Sequence, residues 1–496
     1  ADRGCSMSGR APRATPIRFG TDGWRAVIAQ EFTFANLERV TQAYALYVVR
    51  EHEAARATKT REPQSKSSTD APLVVVGYDR RFLSEKFAAR AAEVLAGNRI
   101  AVEMFNGDVP TPVVSWAVRD RKAAGGVVIT ASHNPAEFNG FKIKAAWGGS
   151  ATPETTRAVE TLLDAAPVAH GDVSSDSSSR LEPSVASYRA QVAAYVDLGR
   201  LRATVGRVVV DPMHGTGGRW VESFLSGGAL EVETIRAERD PQFGGVAPEP
   251  IDRNLAPLKR RVKEIGALVG LATDGDADRV GAVNELGETM TMHEVVPIVL
   301  LHLARVRGMT GGVVRTFSQS VLTKRIAAAH NLKLHETPIG FKYVADLMLR
   351  EDILIGAEES GGIGVKGHIP ERDGILNSLL FLEAVIMAGK PPSEIVREMH
   401  REFGEFYYDR RDLTSEVARG LELVGGLAQQ PPAKVGEWDV ASVEKLDGTK
   451  LLFADESWLL FRQSGTEPVL RVYAEATSVA KRDALLDAGC ELAGRK

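Results

Sequence analysis

A chain of 496 residues is too long for a single hydrophobic core and predicts roughly three or four domains. Its 61 basic and 65 acidic residues leave a net charge of -4, so no basic excess points to nucleic acid or an anionic membrane, and any site for an anionic ligand must be a local cluster. The composition, 44% hydrophobic, 25% charged and 6% aromatic, is that of a globular protein, and the two cysteines, Cys5 and Cys490, fit a reducing compartment rather than a disulfide framework.

The first 16 residues carry Arg but no apolar core, so they read as neither signal peptide nor membrane anchor. No later run is apolar for long enough to span a bilayer, and a soluble, cytoplasmic protein is expected. The folded part opens with Ile17 to Arg25, where two glycines around Thr21-Asp22 predict a tight loop and Arg25 is available for an anion. Leu37, Val40, Tyr44, Tyr47 and Val48 recur at helical spacing behind Thr33, a plausible N-cap. The Lys-, Ser-, Thr- and Pro-rich segment 56–72 reads as a solvated loop insertion. A buried strand at Leu73 to Val76 leads through Gly77-Tyr78-Asp79-Arg80-Arg81 into a helix expected to be capped by Ser84.

Strand, polar loop and amphipathic helix recur before Gly126 to Ile129, which reads as a buried strand ended by Thr130-Ala131-Ser132-His133-Asn134-Pro135. This grammar predicts a first α/β domain over 16–165 and a Ser- and Pro-rich linker over 167–183. A second α/β domain, 184–289, contains the strand Arg207 to Asp211, the glycine turn His214 to Gly218, and a strand ending in Thr273-Asp274-Gly275-Asp276-Ala277-Asp278-Arg279. A third, 290–404, holds Thr337 to Lys342 and Glu358-Glu359-Ser360-Gly361-Gly362, and a smaller α+β domain follows over 405–496. The fold class expected is therefore α/β, with three similar mixed-sheet domains and a smaller C-terminal α+β domain.

Three carboxylates at alternate positions repel one another unless a cation lies among them, and oxygen-only ligands favour Mg²⁺ or Ca²⁺. Glu285 falls where an EF-hand loop has its bidentate acid, but Arg279 replaces the required glycine and Val280 to Val283 reads as strand. Arg462, Ser464, Gly465 and Thr466 have the composition of an anion cradle, and Glu358 and Ser360 offer an acceptor and a donor for sugar hydroxyls. Ser132 lies at the end of a parallel strand, where ligands bind in open α/β sheets. His133 beside it is poorly placed as its general base, because sequence-adjacent side chains usually point apart, and no Gly-x-Ser-x-Gly elbow is present. A phosphoserine at 132 explains more: its dianion would complete the metal's ligands while Arg279 and Lys142 balance the charge.

Together the serine loop, the Asp-Gly-Asp-Ala-Asp-Arg loop, the Glu-Glu-Ser-Gly loop and the Arg-Gln-Ser-Gly-Thr-Glu-Pro loop resemble those of the α-D-phosphohexomutase superfamily, in the family's order. The resemblance implies four domains around a central cleft, Ser132 as phosphoserine, and Mg²⁺ held by Ser132, Asp274, Asp276 and Asp278. It places Lys142 and His133 near the phosphoryl group as acid/base candidates, Arg279 beside the metal, and Arg25 with the substrate. Glu358 and Ser360 would grip the sugar, Lys342 would select its orientation, and Arg462, Ser464, Gly465 and Thr466 would hold the phosphate that is not reacting. The activity implied is interconversion of hexose 1- and 6-phosphates, glucose favoured and mannose possible, through a hexose 1,6-bisphosphate, by a monomer or homodimer. The alternatives are a Mg²⁺-dependent sugar phosphatase, a phosphoglucosamine mutase, or a non-catalytic hexose-phosphate-binding relative. Many members carry His directly after the Ser-Gly of the sugar loop; Gly362 stands here, and His368 is the nearest candidate to replace it.

Overall fold

The computed structural model describes residues 17–20, 22–59, 71–464 and 468–494. Three α/β units come first, each built on a mixed sheet whose central strands are short β-branched runs buried on both faces, as parallel strands covered by helices must be. The first unit contains β1 (Trp24–Val27), α1 (Phe34–Lys59), β2 (Leu73–Tyr78), α2 (Ser84–Gly97), β3 (Ala101–Met104), α3 (Thr111–Asp120), β4 (Gly125–Ile129), β5 (Phe138–Ala145) and α4 (Pro153–Thr161). Its sheet order is β1-β5-β4-β2-β3, with β2 parallel to β3 and β4, and β5 antiparallel to both β4 and β1. Thr33 does cap α1, accepting the Asn36 N–H at 3.2 Å. Ser84 does not cap α2: its hydroxyl donates to Asp79 at 2.7 Å, a buried carboxylate that competes for it more strongly than the helix end. The stretch 167–183 is no free linker, since Ala169 donates to Gln42 and Gly171 to the Glu93 carbonyl, laying it along α1 and α2.

The second unit contains α5 (Glu182–Tyr195), α6 (Leu198–Ala203), β6 (Gly206–Asp211), α7 (Trp220–Leu225), β7 (Leu230–Thr234), α8 (Ala256–Ile265), β8 (Val269–Thr273), β9 (Val280–Val283) and β10 (Thr289–Met290), with sheet order β10-β9-β8-β6-β7. The third contains α9 (Met292–Leu301), β11 (Gly312–Thr316), α10 (Val321–Ala329), β12 (Leu334–Thr337), α11 (Phe341–Arg350), β13 (Ile353–Ala357), β14 (Ile363–Val365), α12 (Gly374–Ala388) and α13 (Pro392–Phe403), with order β14-β13-β11-β12. The orders β5-β4-β2-β3, β9-β8-β6-β7 and β14-β13-β11-β12 are one topology used three times. In each, a parallel strand turns back into an antiparallel partner: β4 into β5, β8 into β9, β13 into β14. The three turns carry residues 130–137, 274–279 and 358–362.

The last unit is different. A five-stranded antiparallel sheet, formed by β15 (Tyr407–Thr414), β18 (Ser442–Glu444), β19 (Thr449–Leu452), β20 (Trp458–Gln463) and β21 (Val469–Ala476) in the order β15-β21-β20-β19-β18, is packed by α14 (Val417–Gln429) and α15 (Val479–Leu492). A short ribbon of β16 (Lys434–Val435) and β17 (Trp438–Asp439) lies between. Glu475 on β21 is fully buried and ties this sheet to the third unit: it meets the His293 imidazole at 2.9 Å and accepts from the Ser320 hydroxyl at 2.6 Å and the Val321 N–H at 2.9 Å. No single helix among the described residues is long and apolar enough to cross a membrane.

Candidate active site

The turns of the first two units meet face to face. Ser132 lies just beyond β4, is buried, and has φ +53, a left-handed conformation that a side chain disfavours. Its N–H donates to Thr130 Oγ1 at 2.9 Å, and its hydroxyl donates to Asp274 Oδ2 at 2.8 Å. Gly275 is needed there, because a Cβ on it would lie 2.5 Å from the Ser132 carbonyl oxygen. His133 Nδ1 is 3.4 Å from Ser132 Oγ, nearer than adjacency in sequence predicts. Burial, reinforced by Arg279, Arg25, Lys142 and Arg81, holds its pKa well below the ordinary histidine value, so the ring is neutral. Arg25, on β1, reaches the same turn and donates to Asn134 Oδ1 at 2.7 Å.

Asp274, Asp276 and Asp278 are fully buried on the turn from β8 to β9, and one carboxylate oxygen of each lies within 4.8 Å of the others. Asp274 Oδ1 accepts the N–H groups of Asp278 and Arg279, and Thr111, at the start of α3, donates its hydroxyl to Asp276 Oδ2 at 2.7 Å. Asp276 Oδ1 and Asp278 Oδ1 are buried with no hydrogen-bond donor among the described residues. Orphaned carboxylate oxygens converging in a buried cluster cost free energy unless a cation completes them. The donor set fits a hard divalent ion such as Mg²⁺. The strand β9 rules out an EF-hand loop, and Glu285 instead accepts from Ser393.

Lys142 on β5 points into this cluster, with Nζ at 2.8 Å from Asp276, 3.2 Å from Asp278 and 2.9 Å from Asp22. Burial works against its charge, but the three carboxylates outweigh it and raise the pKa, so Lys142 stays cationic. The opposite balance holds at Asp274, where burial and then Asp276 and Asp278 push the carboxyl up. Arg279 is buried, and its side-chain Nε, 3.9 Å from Asp278, has no hydrogen-bond acceptor among the described residues.

The turn of the third unit closes the group. Gly361, at φ +95, accepts the Val280 N–H, and a Cβ on it would lie 2.5 Å from the Val280 carbonyl oxygen. Glu358 is buried, and burial raises its pKa. Arg372 was missed by sequence reasoning. It ion-pairs with Asp22 at 2.6 Å and Asp278 at 2.9 Å, and stands 3.6 Å from Glu358. A Cβ at Gly362 would lie 2.4 Å from its Cδ, so Gly362 is the opening through which this arginine reaches the cluster. The expectation for His368 is corrected accordingly. Its Nε2 meets Asp373 at 2.9 Å and its ring stacks on Trp116 at 5.4 Å, which makes it part of the packing between units. Asp22, Lys144 and Glu371 were also missed; Lys144 and Glu371 form a buried pair at 2.9 Å that Ser150 joins to Asp22.

Lys342, at the start of α11, lines a cavity of about 610 Å³ with Gly20, Asp22, Gly23, Ser150 and Glu154. It is half-buried, and burial lowers its pKa. Arg462 on β20 donates to Asp447, which also accepts the Ile339 N–H from the loop before Lys342. Ser464 is buried beside it, whereas Gly465 and Thr466 lie outside the described residues. Ser360, in the middle of the third turn, is partly exposed.

Four family models cover most of the chain: phosphoglucomutase/phosphomannomutase alpha/beta/alpha domain I over 16–168, domain II over 186–287, domain III over 292–403 and the C-terminal domain over 422–491. A phosphoglucomutase/phosphomannomutase of Thermococcus kodakarensis is 30% identical over 96% of this chain and 98% of its own. A phosphoglucosamine mutase of Erythrobacter litoralis is 28% identical over 84% of this chain and 87% of its own. Among solved structures, a Thermus thermophilus protein assigned as a phosphomannomutase superposes with a TM-score of 0.83 at 36% identity, covering 97% of this chain and all of the other. A phosphoglucomutase from Paramecium shares the fold, with a TM-score of 0.78 at 22% identity over 97% and 96% of the two chains. With all four domains matched in order, the chain belongs to the phosphoglucomutase/phosphomannomutase family of α-D-phosphohexomutases, isomerases that depend on Mg²⁺.

Proposed function

We propose that the protein interconverts hexose 1-phosphate and hexose 6-phosphate, glucose favoured and mannose accepted, with Ser132 as the phosphoryl carrier. The observation that carries the reading is the Ser132 hydroxyl 2.8 Å from Asp274, at the edge of three buried aspartates, two of which, Asp276 and Asp278, hold a free oxygen that calls for a cation. Phosphoserine gives its phosphoryl group to the free hydroxyl of a bound hexose monophosphate. The P–O bond to Ser132 breaks as the bond to the sugar oxygen forms, and the hydroxyl proton passes to a nearby base. The resulting 1,6-bisphosphate turns around in the cleft and returns its other phosphoryl group to Ser132.

Mg²⁺ held by Ser132, Asp274, Asp276 and Asp278 would supply charge neutralisation at the transferring group. The protein's own part is positioning and electrostatics, as phosphoryl transfer requires. Lys142 balances the buried carboxylates, and Arg279, with a buried N–H to spare, is the ready donor to a phosphoryl oxygen. His133 Nδ1, neutral and 3.4 Å from the serine oxygen, is a proton acceptor beside it that holds no place among the metal-binding carboxylates. Glu358 and Ser360 hold sugar hydroxyls. Arg25, Lys342, Arg462, Ser464, Gly465 and Thr466 orient the sugar and its unreactive phosphate. The buried Ser132 is kept from water, which separates a mutase from a phosphatase.

Turnover measured side by side on glucose, mannose and glucosamine 1-phosphates tests the substrate. Glucose 1-phosphate as the fastest of the three is expected; a preference for glucosamine 1-phosphate, the substrate class named for several relatives, contradicts it. Release of one inorganic phosphate per sugar consumed would instead make the enzyme a phosphatase.

A further inference from the structure

The loop Gly77-Tyr78-Asp79-Arg80-Arg81 is not used by the reaction above, yet it holds an unusually enclosed side chain. Arg81 is fully buried, and its guanidinium makes five hydrogen bonds. Nη2 donates to the carbonyl oxygens of Ser132 at 2.7 Å and Asn134 at 2.6 Å, and Nη1 to those of Pro135 at 2.7 Å and Phe138 at 3.0 Å. Nε donates to Asp79 Oδ2 at 3.1 Å. Three of the four carbonyls belong to the turn from β4 to β5, and the fourth to Phe138, the first residue of β5. Asp79 is fixed in its own turn by the Arg81 N–H and the Ser84 hydroxyl, and Asn139 donates to Ser84 Oγ at 2.9 Å. The second unit closes the remaining face, where the guanidinium carbon lies 4.9 Å from the centre of the Phe243 ring.

This cage surrounds a backbone that needs it. Ser132 is held at φ +53, a conformation that persists only where the surroundings over-determine it. One end of the residue is fixed by Thr130 and the other by Arg81, so the backbone that aims the hydroxyl at Asp274 is held on both sides. Only a planar fork with five donors can serve four carbonyls and a carboxylate at once; a lysine in the same place has three donors on a single nitrogen.

We propose that Arg81 is a positioning residue for phosphoryl transfer: it fastens the turn 132–138 to Asp79 and thereby keeps the Ser132 oxygen in line with the aspartate cluster. The proposal rests on the reading of Ser132 as phosphoryl carrier. Enclosed as it is, the guanidinium makes no contact with the sugar, so its loss acts on the transfer step and not on substrate binding.

The test is Arg81→Lys in the full chain, assayed for kcat and KM on glucose 1-phosphate, and for the rate at which glucose 1,6-bisphosphate loads the protein as followed by intact mass. A displacement of about 1 Å at the reacting oxygen predicts a kcat lower by about 100-fold, an equal loss in loading rate, and an unchanged KM. A folded Arg81→Lys protein with wild-type kcat, or one that changes only in KM, overturns the proposal. Should Arg81→Lys not fold, Asp79→Asn decides by the same split, because it takes the carboxylate from the Arg81 Nε and leaves an amide oxygen for the Arg81 N–H and the Ser84 hydroxyl: reduced kcat at constant KM upholds the role, wild-type kcat overturns it. Wild-type protein that turns over without ever carrying a phosphoryl group on Ser132 overturns the phosphoserine reading and this role with it. Wild-type protein that loads normally, matched by Arg81→Lys, overturns the role of Arg81 alone.

Discussion

The turn that carries Ser132 and the turn that carries Glu358 to Ser360 occupy the same place in their units, each joining a parallel strand to its antiparallel partner. They are held differently. The first is fastened from within its own unit, by Arg81, Thr130 and Arg25, and its nucleophile sits in one strained conformation. The second depends on the last unit as well as its own: Arg372 of its own unit stands near Glu358 over Gly362, while Glu359 accepts from Tyr408 at 3.0 Å and Arg410 at 2.7 Å, both on β15 of the last unit. In the proposed reaction, one topology thus supplies a rigid turn where a bond forms in line, and a turn shared between units where a sugar is gripped and let go. The aspartate turn lies between them and meets both, through Ser132 on one side and Gly361 on the other.

The contrast predicts that substitutions at the first turn and the aspartates act on kcat, and that those at the third turn act on binding. The largest effect is expected of Ser132→Ala, a loss of about 10⁴-fold or more in turnover, with glucose 1-phosphate binding by calorimetry preserved. Asp276→Asn comes next. It should lose at least about 100-fold in kcat, and the rise in melting temperature that Mg²⁺ gives the wild type should disappear. Arg372→Ala removes a buried donor shared by Asp22, Asp278 and Glu358, about 2 kcal/mol of transition-state stabilisation, and should lower kcat/KM by about thirtyfold. Glu359→Gln should raise KM about fivefold at constant kcat, by loosening the tie to Tyr408 and Arg410; a fall in kcat alone would erase the distinction between the two turns.

The smallest effect concerns the seam beside the last unit. Lys450 on β19 is buried against Phe317 and Trp458, and burial lowers its pKa to about 8, with Arg315 adding to the shift. The unfolded chain holds that proton up to about pH 10.4, so between these values it binds more protons than the native state, and stability should rise with pH. Below pH 8 the full penalty is present. Urea unfolding followed from about pH 7.5 to 10 should therefore show an upward slope that flattens in Lys450→Met.

The candidate site was legible in the sequence because its parts are written in contiguous runs. Ser132 and the three aspartates each sit in a short turn after an apolar strand, and the structure brings those two turns together. The three-fold topology was visible only as a recurring grammar, since the sheets share strand order and not residues. The electrostatic frame was hidden. Arg372 and Asp22 are 350 positions apart, and neither stands in a run that announces a partner. The one signal was Gly362, a small residue where the family resemblance leads one to expect His, and a Cβ there would lie 2.4 Å from Arg372 Cδ. His368 misled because a histidine two residues beyond Lys366 looks available, whereas Asp373, which also caps α12, claims it inside the core. Ser84 misled for a similar reason: a buried carboxylate on a preceding loop took a hydroxyl that local rules assign to the helix.

The central claim is that Ser132 carries the phosphoryl group between sugars, and intact mass spectrometry tests it most directly. The account predicts that wild-type protein treated with phosphatase, freed of it, and then given glucose 1,6-bisphosphate gains a single phosphoryl group that fragmentation assigns to Ser132, and that hexose 6-phosphate removes it again. A protein that turns over while Ser132 stays unmodified, or that carries the group on another residue, would contradict it.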